Sequence, residues 1–141
     1  MKKLYFLVVL VISFATQAQI VNIPDANFKA KLLSANANNT IASIQNPDSN
    51  GNVTTYNSID INNNGEIEQN EAALITFLNV SNSSIYNLTG IESFSSLVSL
   101  KCVYTQLSNL NVSQNIALLT LICSNNQLTS INVTQNTLLK N

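Results

Sequence analysis

Laid over itself with an offset of twenty-one residues, the stretch from Leu97 to Leu138 pairs almost every apolar position with an equivalent. Leu97, Leu100, Cys102, Leu107, Leu110, Val112 and Asn115 fall on Leu118, Leu121, Cys123, Leu128, Ile131, Val133 and Asn136. A fixed period in the twenties leaves little choice of architecture. One such unit cannot cover its own apolar interior, so successive units must stack in register as the coils of a solenoid. Within a unit, Leu121 and Cys123 alternate with Thr120, Ile122 and Ser124, the pattern of a short strand with one side turned into a core. The period continues upstream with one slip: Leu78, Val80, Ile85 and Leu88 precede Leu100, Cys102, Leu107 and Leu110 by twenty-two residues. Nearly three coils result, over residues 75–141, and Leu139, Lys140 and Asn141 begin another.

The unit Leu118-x-x-Leu121-x-Cys123-x-x-Asn126-x-Leu128 resembles the leucine-rich repeat, with Cys in the third apolar slot. Leu88-Thr89-Gly90-Ile91-Glu92 resembles the convex side of internalin-like bacterial repeats. This resemblance implies an α/β solenoid: a short leucine-rich-repeat array of parallel strands, one per coil, behind an N-terminal helical cap over residues 19–74. At the bend after each strand, Asn126 is suited to bond unpaired backbone groups, with Thr105 and Ser83 in the equivalent places.

Residues 1–18 read as an export signal. Lys2 and Lys3 precede an apolar run from Leu4 to Phe14, and Thr16-Gln17-Ala18 offers a small-residue cleavage site. The run is short for a membrane span, so the expectation is a secreted or cell-surface protein with no span after cleavage. Residues 19–141 then carry four lysines (Lys29, Lys31, Lys101 and Lys140), no Arg or His, and seven carboxylates. That acidic balance argues against phosphate-backbone binding and hence against a nucleic-acid partner. Twenty-four asparagines among 141 residues fit stacked turns better than a helical bundle.

After the signal, Ile20 to Ile23 can pair as a short strand or pack as a flap. Pro24 and Asp25 open a helix whose one face carries Phe28, Leu32 and Leu33. The segment Ile23-Pro24-Asp25-x-Asn27-Phe28 is similar to the start of many secreted bacterial leucine-rich-repeat proteins. From Ser34 to Ser58 the chain is polar, and a mobile loop or loose hairpin is expected there, turning at Pro47 to Gly51.

Residues 60–71, DINNNGEIEQNE, carry recognisable site chemistry. Calcium takes oxygen ligands, and the EF-hand loop places them at its odd positions and its end. Asp60, Asn62, Asn64, Glu66 through its carbonyl, Glu68 and Glu71 fill those places, and Gly65 stands at the bend. Neutral Asn at the third and fifth positions implies weak binding, on the order of 10⁻⁴ to 10⁻³ M. An exiting helix is expected over Ala72 to Phe77. The bland alternative is an Asn-Gly turn with solvated acids.

Cys102 and Cys123 share one inward slot of adjacent coils, where a parallel in-register pair bridges poorly. Stacked free thiols are expected rather than a disulfide. With no His anywhere, a Ser or Cys nucleophile lacks its commonest base, so no enzyme activity is expected. Function then falls to a surface. If the strands line a concave face, Phe77, Asn79, Lys101, Val103, Tyr104, Ile122 and Asn125 are its outward residues, open to a protein or carbohydrate ligand. The leading expectation is a secreted or cell-surface binding module with a structural calcium site. The second is the front of a longer exported enzyme or adhesin, because the array stops inside a repeat.

Overall fold

The computed structural model describes residues 18–140. The export signal expected over residues 1–18 lies almost wholly outside them. Helix α1 (Ala26–Leu33) comes first, followed by strand β1 (Ala42–Ser43), the short helix α2 (Gln69–Ala72) and strand β2 (Phe77–Asn79). Strands β3 (Ser99–Lys101) and β4 (Thr120–Ile122) complete a four-stranded sheet of order β1-β2-β3-β4.

Strands β2, β3 and β4 are parallel, and their register places Leu78, Leu100 and Leu121 side by side. This is the sequence offset, twenty-two residues and then twenty-one, converted into a lateral stack. The inward leucines bury the core because the pleat sends their neighbours, Phe77 with Asn79 and Ser99 with Lys101, to the other side. Further round each coil, Val80, Ile85, Leu88, Cys102, Leu107, Leu110 and Val112 are buried. Leu121, Cys123, Leu128, Ile131 and Leu139 in the last described coil are only partly so.

The bends are closed as their side chains allow. Ser83 donates its hydroxyl to the Val80 carbonyl and Thr105 donates to the Cys102 carbonyl at 3.1 Å. Asn126 does more: its Nδ2 donates to the carbonyls of Cys102 (2.7 Å) and Cys123 (3.0 Å), and its Oδ1 accepts from Leu107 N–H (3.1 Å) and the Thr105 hydroxyl. The amide bonds backbone groups of two coils, where each hydroxyl bonds a carbonyl of its own coil. On the far side, Asn115 and Asn136 each donate to two carbonyls of the preceding coil.

Helix α1 is capped by Asp25, whose Oδ1 accepts from Phe28 N–H at 2.9 Å. The other carboxylate oxygen accepts from Tyr86 N–H (2.9 Å) and Asn87 N–H (3.1 Å), so one side chain both starts the helix and fastens it to the first coil. Phe28 and Leu32 are fully buried in the common core and Leu33 packs at its edge. Burying side chains of this size contributes about 1.5–3 kcal/mol each.

Two expectations need correction. The helix after the acidic loop does not run from Ala72 to Phe77; it spans Gln69–Ala72, and Phe77 already belongs to β2. Ile75 is buried between them, and the chain must straighten there to deliver Phe77 and Leu78 into the sheet. Nor is the stretch from Ser34 to Ser58 a mobile loop; the hairpin alternative is the one that fits, since the chain turns from Asp48 to Asn52 and Asn57 N–H donates back to the Ala42 carbonyl at 2.9 Å. It supplies β1, antiparallel to β2 with Ala42 opposite Leu78, and it buries Ile41, Ala42, Ser43 and Val53.

Candidate functional site

The acidic loop is held by its own side chains. Asp60 accepts from Asn64 N–H (3.2 Å) and Gly65 N–H (2.9 Å), Asn62 Oδ1 accepts from Asn64 N–H (3.0 Å), and Asn64 Oδ1 accepts from Glu66 N–H (2.8 Å). These short-range bonds wind the segment, and Gly65 takes the left-handed φ of 82° that the bend requires. Glu71 closes it from the far end. One of its oxygens accepts from Ile61 N–H (2.8 Å) and the other from Glu68 N–H (3.1 Å). Ile67, fully buried, anchors the loop, and its carbonyl accepts from Val21 N–H at 2.8 Å. Gln69 N–H in turn donates to the Gln19 carbonyl at 2.8 Å, so the segment around Ile20 pairs with the loop as a bridge between Ile20 and Glu68.

Two carboxylates meet inside this loop: Glu68 and Glu71 are 4 % and 3 % exposed. Burial first, and a hydrogen bond with Glu68 second, push Glu71 above the ordinary carboxylate range. Glu68 is pulled below it, chiefly by the hydrogen bond from Glu71 and then by the Asn64 amide. The Nδ2 atoms of Asn62 (3.3 Å) and Asn64 (2.6 Å) also donate to Glu68. Glu66 turns its carboxylate away to Lys29 at 2.6 Å, leaving its carbonyl as its contribution to the loop.

The donors are all oxygens, as a hard cation wants. Only Glu68 and Glu71 come together, however, and no three Asp, Glu or Cys side chains gather as a metal-holding group among the described residues. Asp60 and Glu71 spend their oxygens on backbone N–H groups, and the Asn62 and Asn64 amides satisfy Glu68. A calcium ion in this loop would have to displace those two amide donors.

The outward sheet residues do not form one open face. The segment from Gln45 to Asn57 lies across it as a strap. Ser99 Oγ donates to the Gly51 carbonyl at 3.0 Å, Lys101 Nζ donates to Asn52 Oδ1 at 2.8 Å, and the Tyr56 ring meets the Phe77 ring edge-on at 6.2 Å between centroids. Lys101 also stands 5.5 Å over the Phe77 ring. Phe77 is therefore 3 % exposed, and the expectation that it offers a free contact is corrected: the chain's own strap covers it. Asn79 is half-buried, its Oδ1 taken by Ser81 N–H at 3.1 Å. Beyond the strap, Val103 is half-buried while Tyr104, Ile122 and Asn125 are exposed.

Sequence reasoning found the turn at Pro47 to Gly51 but not its seat, since nothing local says that a glycine will rest on Ser99 and Thr120. It also passed over Tyr86, Asn87 and Asn109, which line a groove half a coil on from the strands. The thiols stand as expected: Cys102 is buried and free, its thiol pushed up to about 12, by burial first and by neighbouring Cys123 second. Cys123 is free and half-buried. No helix among the described residues is long and apolar enough to cross a membrane.

No protein-family profile and no curated protein matches the chain. Solved structures do. The functional domain of InlJ from Listeria monocytogenes, described as including a cysteine ladder, is 29 % identical and aligns over 88 % of this chain and 23 % of its own length, with a TM-score of 0.62. An internalin, inlF, from the same organism is 20 % identical over 91 % of this chain and 32 % of its own length, with a TM-score of 0.55. The chain thus spans less than a third of either neighbour. Its parallel stack, inward cysteines and bend residues make the fold an internalin-like leucine-rich-repeat fold.

Proposed function

We propose that this chain is a secreted or cell-surface leucine-rich-repeat module that binds a protein partner, rather than an enzyme, and that its contact is centred on Tyr104. The observation that carries this is conformational. Asn82, Tyr104 and Asn125 occupy the same slot in successive coils and all three are left-handed, with φ of 55°, 51° and 57°. Asn tolerates that backbone, but a bulky side chain there is strained by about 1–2 kcal/mol. Tyr104 is nonetheless 62 % exposed, so its ring returns little of that strain through burial in its own chain. An exposed aromatic, with the 37 % exposed Ile122 in the next coil, is the composition of an interface anchor.

The Tyr104→Asn variant separates binding from folding. It restores the residue of the neighbouring coils, so its melting temperature rises by a few degrees, about 1 kcal/mol of relieved strain. Capture of surface proteins by the immobilised chain falls about tenfold or more. A lower melting temperature, or undiminished capture, would count against the anchor.

The acidic loop is proposed as a weak structural calcium site formed by Asp60, Asn62, Asn64, Glu66, Glu68 and Glu71, within an N-terminal cap on the repeats. Support comes from two buried carboxylates in contact, Glu68 and Glu71, which a divalent cation would neutralise together. Ten millimolar calcium against a millimolar dissociation constant stabilises the fold by about 1.4 kcal/mol. The expected result is a melting temperature a few degrees higher in calcium than in chelator, with no response in Glu71→Gln. Equal melting in both conditions reduces the loop to a hydrogen-bonded turn.

A further inference from the structure

Half a coil on from the strands, a groove of about 620 Å³ runs between the segments Tyr86 to Glu92 and Ser108 to Gln114. A second hollow of about 440 Å³ continues it to Ser130 and Asn132, and the two share Asn109, Leu110, Asn111 and Ser113. We infer that this groove binds a neutral polysaccharide chain, at a site separate from Tyr104.

Charge excludes the competing classes of ligand. No Lys or Arg lines either hollow, so phosphates, sulfated sugars and uronic acids find no counter-charge. The single carboxylate, Glu92, already accepts from Gly90 N–H at 2.8 Å, which argues equally against a basic peptide. What remains along the walls is amide and hydroxyl chemistry over a floor of buried Leu88, Ile91 and Leu110. The amides are turned for use. Asn87 Oδ1 accepts from Thr89 N–H (2.8 Å), Asn111 Oδ1 from Ser113 N–H (3.0 Å) and Asn132 Oδ1 from Thr134 N–H (3.0 Å). Each side chain is thereby held by its oxygen, and its Nδ2 donates to no group among the described residues. Neutral donors on a fixed backbone suit sugar hydroxyls, which accept and donate without charge.

The aromatic and the spacing complete the argument. Tyr86 is 56 % exposed at one end of the groove, and its backbone is fixed because its N–H donates to Asp25. Its ring offers a flat apolar face of the kind on which the C–H side of a pyranose stacks. Asn111 and Asn132 are bridged as parallel partners, which sets successive amides about 4.8 Å apart, close to the advance of one sugar ring along an extended chain. A repeating polymer can therefore meet the same amide in these two successive coils.

The test is electrophoresis of the full chain through native gels containing neutral soluble polysaccharides (mannan, mixed-linkage β-glucan or hydroxyethyl cellulose), with polygalacturonate and a gel without polysaccharide as controls. Expected is retardation by at least one neutral polymer and none by polygalacturonate. Tyr86→Ala and Asn111→Ala weaken that affinity about tenfold. Both residues are exposed, so the melting temperatures stay within a degree or two of the parent, checked on the same samples. Tyr104→Asn retards like the parent, which keeps this inference and the protein-binding one separately testable. No retardation by any neutral polymer, greater retardation by polygalacturonate, or unchanged retardation of Tyr86→Ala overturns it.

Discussion

Asp25 shows how much one side chain can carry. It caps α1 and accepts from the N–H groups of Tyr86 and Asn87, so the first coil and the helix share a single carboxylate. Burial raises its pKa, but the backbone N–H groups of Phe28, Tyr86, Asn87 and Asn27 together outweigh it, and the value lies below the ordinary 3.8. A depressed folded-state pKa stabilises the fold fully above the unfolded carboxyl's value, and the contribution fades as pH falls through the lower, folded one. Asp25→Ala is expected to cost about 1–2 kcal/mol near neutral pH. The gap between variant and parent narrows as urea unfolding is repeated at pH falling from 3.8 through the lower, folded-state value. A gap that stays constant with pH would assign the effect to packing instead of charge.

The strap from Gln45 to Asn57 is the element that most alters the functional reading. Gly51 seats it: φ is 72°, and a Cβ there would stand 2.8 Å from Thr120 Cγ2 and Oγ1 and 2.9 Å from Ser99 Oγ. Gly51→Val should therefore lift the strap, at a cost of about 1–3 kcal/mol from backbone strain and steric conflict. Limited proteolysis should then cut within Asp48 to Tyr56 before any other site, with the sheet intact by circular dichroism. Resistance equal to the parent would mean that the strap holds by β1 and Tyr56 alone. Lifting it exposes Phe77 and Lys101, so a gain of binding in this variant would identify the strap as a cover and not a wall.

At the scale of the whole molecule, stability follows the stack. Leu100 is fully buried with a coil on either side, whereas Leu128 packs against the core from one side. Leu100→Ala is expected to lose about 3–5 kcal/mol and Leu128→Ala roughly 1–2 kcal/mol, because the cost of a truncation grows with the cavity it leaves. Urea titrations of the two variants check the ordering, and equal losses would mean that the last coil is as tightly packed as the middle one. What the sequence by itself determined here is whatever repeats or acts locally. The twenty-one-residue period dictated parallel strands with Leu78, Leu100 and Leu121 in register, because only stacking buries such a pattern. Asp25 as a cap, the bend at Asn126 and the wound acidic loop were equally legible, since their hydrogen bonds reach mainly to near neighbours or to the next coil. Only the tertiary structure decided which outward residues are free. Phe77 and Tyr104 read alike in the sequence, yet Tyr56, twenty-one positions before Phe77, lies on one, while the other is 62 % exposed among the described residues. The same holds for the Tyr86 groove, because it depends on contacts between distant segments, which no periodicity encodes.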